Sequence, residues 1–212
     1  MPSRKIRFHP GDTYHLYNRG HNRENIIVER ENYAYLLRLV RRHLHPVMDI
    51  LAYCVMPNHY HLLVKIKQKS DFLSEPKVHT KSDFSHELPA DASPRISEAM
   101  RRLSIAYTKA INKRYGRVGA LFQGPYQAKP VPPERLLDLS CYLHHNPVAA
   151  GLVEDAADWP YASARDYLGE RNGTLPTPGP ILAHLPTGTT YRAYLQDDAA
   201  WQTERLGELT LE

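Results

Sequence analysis

The order of strand-like and helix-like stretches predicts an α+β domain: an antiparallel sheet with helices packed on it. Three observations carry this. Two runs rich in strand formers, Val47 to Met56 and His59 to Lys67, flank a turn at Pro57-Asn58 and read as a hairpin. Apolar residues recur at helical spacing in three other stretches. The periods alternate as strand, helix, strand, strand, helix, strand, helix, the split-βαβ order of a ferredoxin-like core.

The first strand is Thr13 to Asn18, ended by the turn-like cluster Arg19-Gly20-His21-Asn22. A helix follows from Asn32, a possible cap, with Tyr33, Leu36, Leu37, Val40 and Leu44 on its apolar stripe, and must end before Pro46. After the hairpin, Lys69 to Ser93 is polar, shows neither period and reads as a long mobile loop. Pro94 suits the first turn of a second helix striped by Ile96, Met100, Leu103, Tyr107, Ala110 and Ile111 and broken by Gly116 and Gly119. Ala120 to Val131 reads as loop plus edge strand, where its prolines are tolerable. Pro133 to Asn146 reads as a third helix, stopping at Pro147. The expected organisation is one domain over 1–169, with an insert at about 69–93, then a linker and tail over 170–212 in which Gly173 to Thr190 is the linker and Tyr191 to Leu209 a short helix.

With 212 residues, 24% charged and 42% hydrophobic, and a mean hydropathy of −0.53, the composition is that of a globular protein with room for a substantial core. The longest unbroken apolar run, Ile50 to Met56, cannot span a bilayer, and no apolar stretch follows the basic N-terminus as a secretory signal requires. A cytoplasmic location is the expectation, and no membrane partner is expected. Cys54 and Cys141 show no metal-binding spacing and read as buried thiols in a reducing compartment. The net charge of +4 conceals an uneven distribution. Residues 1–69 carry 12 basic against 5 acidic side chains and 95–135 carry 9 against 2, whereas 150–212 carry 4 against 10. Two basic segments point to a polyanion surface; solvated surface charge is the competing explanation.

Two constellations carry chemistry. In His59-Tyr60-His61 the imidazoles stand at i and i+2, so a strand projects both from one face, where they can share a divalent ion; Tyr60 points the other way. In Tyr142-Leu143-His144-His145-Asn146 a helix puts Tyr142 and Asn146 on one face, with His145 adjacent and His144 turned largely away. An amide oxygen is a competent hard-cation ligand, and a phenol one turn before it can attack a phosphorus held at the same ion. Packing for Tyr142 and helix capping for Asn146 remain the structural alternatives.

At these residues the chain resembles a known family. Met56-Pro57-Asn58-His59-Tyr60-His61-Leu62-Leu63-Val64 is similar to the HUH motif (His, bulky hydrophobic, His) of single-tyrosine transposases, especially REP-associated tyrosine transposases. Tyr14 through Arg23, Arg114 through Gly124 and Tyr142 through Val153 agree in order and spacing, so the resemblance spans about residues 4–168. It implies a ferredoxin-like fold of the HUH endonuclease type that nicks and rejoins single-stranded DNA at hairpin-forming repeats through a 5′-phosphotyrosine. In that pattern His59, His61 and Asn146 ligate Mg²⁺ or Mn²⁺ and Tyr142 is the nucleophile. Tyr60 stands where an aliphatic residue is more usual.

His145 is the candidate proton acceptor for the phenol. Arg4, Lys5, Arg7, Arg19, Arg23, Arg101, Arg102, Lys109, Lys113, Arg114 and Arg117 are candidate phosphate contacts, and Phe122, Gln123 and Tyr126 candidate contacts to unpaired bases. The expected partner is single-stranded or hairpin DNA with an unpaired flank. A noncatalytic hairpin-binding module on the same fold, and a metal phosphodiesterase that uses activated water, are the competing functions. Monomer and homodimer both stay open.

Overall fold

The computed structural model describes residues 6–68, 91–197 and 206–209. Four strands, β1 (Thr13–Arg19), β2 (Met48–Val55), β3 (His59–Ile66) and β4 (Gln127–Pro130), form one sheet in the order β2-β3-β1-β4 with every neighbouring pair antiparallel. Helix α1 (Arg30–His43) joins β1 to β2, and α2 (Ser93–Tyr115) precedes β4. This is the ferredoxin-like arrangement expected from the order of periods.

Strand alternation gives the sheet two different faces. Tyr14, Leu16, Tyr60, Leu62 and Val64 share one core with Leu36, Val40, Met100, Leu103 and Tyr107 of α1 and α2. The opposite face packs Leu51, Ala52, Cys54 and Leu63 against α3 (Leu136–Ala149) and the C-terminal segments. The register of β2 on β3 shifts between Ile50 and Ala52, a bulge that turns Leu51 and Ala52 together toward α3.

Local chemistry sets the helix limits. At α1, Glu29 is the N-cap and Asn32 is the third helical residue rather than the cap; the Asn32 side-chain oxygen accepts from the Val28 and Glu29 N–H groups, both at 3.0 Å. Helix α2 has Pro94 in its first turn and ends at Gly116, whose φ of 62° is the left-handed conformation of a helix stop. Helix α3 does not stop at Asn146: Pro147 lies inside its last turn, and the helix closes with Gly151 at φ 67°. A proline costs only one helical hydrogen bond there, and the Ala150 and Leu152 N–H groups still bond Asn146 and Pro147 carbonyls.

The stretch expected as a linker is packed. Thr177 N–H donates to the Ile50 carbonyl at 2.8 Å, and α5 (Gly179–Leu182) buries Ile181, after α4 (Ala164–Tyr167) has buried Ala164 and Tyr167. Together with Tyr161 and Ser163, which bond Val55 and Tyr53, these residues cover the outer edge of β2. Of the expected terminal helix, α6 (Tyr191–Gln196) forms, with Tyr191 and Leu195 buried beneath α3, and residues 198–205 lie outside the described residues. Cys54 and Cys141 are free and buried. Of the expected mobile insert, residues 69–90 lie outside the described residues, 91–92 lead into α2, and Ser93 is its first residue. No helix among the described residues is long and apolar enough to cross a membrane.

Candidate nuclease centre

Antiparallel register brings the site together. Tyr17 lies opposite His61 and Arg19 opposite His59, while Lys129 of β4 lies opposite His15. Alternation places His15, Tyr17 and Arg19 of β1 on the face that carries His59 and His61, away from the α1 and α2 layer. Tyr60 faces that other layer, 2% exposed, with its ring edge-on to Phe122.

The two histidine rings of β3 stand 4.9 Å apart at 87°, and the Tyr142 ring lies 6.0 Å from His61 at 78°. Tyr142 is half-buried, a partly buried side chain packed at the edge of the core beneath α3. One turn on, the Asn146 side-chain nitrogen donates to the Tyr142 carbonyl at 2.8 Å, and the Asn146 amide lies close enough to His59 to favour its protonated form. Asn58 Oδ1 accepts from His59 Nδ1 at 2.6 Å. The structure thus assembles His59, His61, Tyr142 and Asn146. His145 is half-buried on the same helix. His144 is fully buried and turned away: its Nδ1 meets the Tyr191 hydroxyl and its Nε2 the Ser163 hydroxyl, each at 2.7 Å.

His61 is fully buried, and its Nε2 has no hydrogen-bond partner among the described residues. Its Nδ1 lies 2.9 Å from Nε2 of His15, whose own Nδ1 lies 2.7 Å from the Leu209 carbonyl. A buried ring nitrogen left unpaired is costly unless something else satisfies it. Burial, reinforced by Arg19, lowers the His59 pKa to about 4, although Asn146 opposes the shift. Burial also lowers His15 to about 3 and takes His61 well below the ordinary imidazole value, helped by its histidine neighbours and by Arg19 and Lys129. Uncharged imidazoles at neutral pH are ready ligands for a cation. The donors this site could offer a divalent ion are the two imidazoles and the Asn146 amide oxygen. Among the described residues, no group of three or more His, Cys, Asp or Glu side chains could hold a metal ion.

Three site residues were not singled out in the sequence: His15, Tyr17 and Lys129. Lys129 Nζ lies 5.3 Å over the Tyr17 ring, and Tyr17 in turn lies 4.9 Å from His15 and 6.1 Å from His61. Alternation along β1 from Tyr14 would have put His15, Tyr17 and Arg19 on a common face, but only the pairing with β3 and β4 shows which face that is.

The candidate DNA contacts divide. Arg19 belongs to the site. Its carbonyl accepts from Gln123 N–H at 2.9 Å, so the exposed Gln123 and the turn holding Arg23 lie at the same end of the sheet, where Arg117 pairs with Glu24. Arg101 and Arg102 both pair with Glu98, and Arg114 pairs with Glu29. With Lys109 and Lys113 they sit on α2, on the far side of the sheet from the histidines. Phe122 and Tyr126 are 8% and 6% exposed and pack in the core, so neither ring face is open to a base. Arg7 is exposed; Arg4 and Lys5 lie outside the described residues.

No family model matches the chain. It is 26% identical over 128 residues to a Haemophilus influenzae protein named as a REP-associated tyrosine transposase, an alignment that covers 59% of this chain and spans 65% of that relative. A solved REP-associated tyrosine transposase bound to a REP hairpin superposes with a TM-score of 0.54 at 15% identity, over 84% of this chain and 97% of that one. A Deinococcus radiodurans transposase structure covers 68% of this chain and 96% of its own at 19% identity, but its TM-score of 0.31 is too low to indicate a shared fold. The resemblance to REP-associated tyrosine transposases therefore holds in sequence, and the fold is shared with the hairpin-bound structure.

Proposed function

We propose that this chain, similar in sequence and fold to REP-associated tyrosine transposases, is a divalent-metal-dependent endonuclease and strand transferase for single-stranded DNA at hairpin-forming repeats. One observation carries the reading most directly: the half-buried Tyr142 ring lies 6.0 Å from a fully buried histidine whose Nε2 has no hydrogen-bond partner among the described residues.

His59, His61 and Asn146 would hold Mg²⁺ or Mn²⁺. An ion held by these residues would polarise the scissile phosphate and stabilise charge on the departing oxygen. Arg19 and Lys129, whose charges reach the histidines, draw the DNA backbone to this face. A phenol with a pKa of ~10 costs roughly 4 kcal/mol to ionise at neutral pH, so proton removal has to accompany attack. His145 is the proposed acceptor. The Tyr142 oxygen bonds to phosphorus as the bond from phosphorus to the 3′ oxygen breaks, leaving a 5′-phosphotyrosine and a 3′ hydroxyl that takes up a proton. The ester keeps the phosphodiester energy, so attack by a 3′ hydroxyl reverses the step and joins strands without a nucleotide cofactor. A cytoplasmic enzyme acting on hairpin DNA with an unpaired flank completes the proposal.

The test is a labelled hairpin oligonucleotide incubated with the protein and Mn²⁺. A covalent protein–DNA band is expected, lost in Tyr142→Phe and suppressed by chelator. Cleavage that survives Tyr142→Phe would instead indicate activated water. Binding of a verified cognate site without cleavage would indicate a noncatalytic hairpin binder.

A further inference from the structure

We propose that His15 is a positioning residue for this centre: it holds His61 in the tautomer protonated at Nδ1, so that the lone pair of Nε2 is what the site offers a divalent cation. The proposal rests on the metal reading given above.

The argument follows the hydrogen bonds from the tail inward. A backbone carbonyl can only accept, so His15 Nδ1, 2.7 Å from the Leu209 oxygen, must carry the proton. A neutral imidazole has one N–H, which leaves His15 Nε2 as an acceptor. That nitrogen is 2.9 Å from His61 Nδ1, so His61 must donate there and Nδ1 must hold its proton. Its Nε2 is then a bare lone pair, at a buried atom that has no hydrogen-bond partner among the described residues. The other tautomer would aim an N–H at the cation and could not ligate it.

The arrangement is rigid. The two rings are stacked 5.0 Å apart at 24°, and both residues have no exposed surface, so water does not compete for the bond between them. His15 and His61 are diagonal neighbours on adjacent strands, in a register where Tyr17 lies opposite His61 and His15 opposite Leu63. The acceptor that fixes the direction of the chain comes from the far end of the sequence, 194 residues away. Outer partners that fix a ligating imidazole in this way typically contribute 10–100-fold to metal affinity.

Two measurements on the full chain test this without DNA. Long-range ¹H–¹⁵N correlation of the histidine rings at neutral pH reads the tautomers directly: His61 is expected to be protonated at Nδ1 and bare at Nε2. Mn²⁺ affinity, from the electron paramagnetic resonance signal of the free ion, is then compared across variants whose urea midpoints confirm folding. His15→Phe removes the acceptor and should weaken Mn²⁺ binding by about 10–100-fold, whereas His15→Gln keeps an acceptor oxygen and an N–H and should stay within about threefold of the wild type. An Nε2-protonated His61 in the wild type, or unchanged Mn²⁺ affinity in His15→Phe, overturns the role of His15 while leaving the metal site standing. A wild-type chain that binds no Mn²⁺ overturns the metal reading and this role with it. Should His15→Phe not fold, the wild-type tautomer and His15→Gln still decide.

Discussion

Replacing His144 tests how the helix that carries Tyr142 and Asn146 is held over the histidines. His144 has no exposed surface, and its ring joins three elements: α3 through its own backbone, α6 through Tyr191, and β2 through Ser163, which accepts from Tyr53 N–H at 2.9 Å. Ser163 donates its own hydroxyl proton to the Tyr53 carbonyl, so His144 Nε2 is the donor to Ser163 and Nδ1 accepts from Tyr191. His144→Leu removes both bonds; the Tyr191 hydroxyl keeps, at 3.0 Å, the Ser140 oxygen, whose own proton goes to the Leu137 carbonyl. Two buried hydrogen bonds at about 0.5–1.5 kcal/mol each come to about 1–3 kcal/mol, which for a chain of this size lowers Tm by about 2–12 °C. Tyr191→Phe removes the donor of the same bond to His144, so the two losses should be less than additive, a favourable coupling in the double-mutant cycle.

The same residue has a pH signature. Burial lowers the His144 pKa to about 3, against an ordinary value of 6.5, so between those values the unfolded chain binds the extra proton. Its contribution is complete above the unfolded pKa and is lost as pH falls, by about 1.4 kcal/mol per unit, or roughly 2 kcal/mol at pH 5. His144→Gln should therefore flatten the acid side of the stability profile by that amount, with the other buried histidines supplying the remainder. The assay is urea unfolding at pH 7 and pH 5. Fully additive losses in the double variant, or an acid slope unchanged in His144→Gln, would refute the network as described.

Other outcomes follow from the same structure. Arg171 binds the 3%-exposed Asp166 carboxylate, the Tyr53 hydroxyl and two backbone carbonyls, so Arg171→Met should cost about 3–5 kcal/mol in urea unfolding, and adding Asp166→Asn should recover much of it; a loss under 1 kcal/mol would contradict this. Arg19→Gln should weaken binding of a hairpin oligonucleotide and make the slope of log affinity against log salt shallower by about 0.7–0.9, one phosphate contact's worth; an unchanged slope places Arg19 off the DNA path. Burial raises the Cys141 pKa to about 12 and lifts Cys54 as well, so neither thiol should react with iodoacetamide in the native protein at pH 8, although both should in urea. Native labelling of either cysteine would show that the α3 layer opens.

The core of the site was legible because its geometry is local. His59 and His61 share a face through strand alternation, and Tyr142 and Asn146 through one helical turn; neither inference needs tertiary knowledge. Pairing is what the sequence hides. Lys129 comes to lie opposite His15 only because β4 adds to the edge of β1, and the Leu209 carbonyl reaches His15 across almost the whole chain. Phe122 and Tyr126 look like stacking platforms as isolated aromatics beside a glycine, yet they fill the space between the sheet and α2. Gly173 to Thr190 has the composition of a linker, but a few apolar side chains, Leu175 and Ile181 among them, suffice to dock it beside β2. Pro147 misleads for a different reason: it removes a helical bond only where its N–H would have been used, and in a last turn that loss is tolerable.

The central claim concerns one oxygen atom, and mass spectrometry can locate it. Protein reacted with a hairpin oligonucleotide and Mn²⁺ is digested with nuclease and protease, and the peptide that retains a nucleotide is sequenced. The expected result is a phosphodiester remnant on Tyr142, within the peptide that also contains Asn146. A remnant on Tyr17 or elsewhere, or cleaved DNA with no modified peptide, would contradict the account.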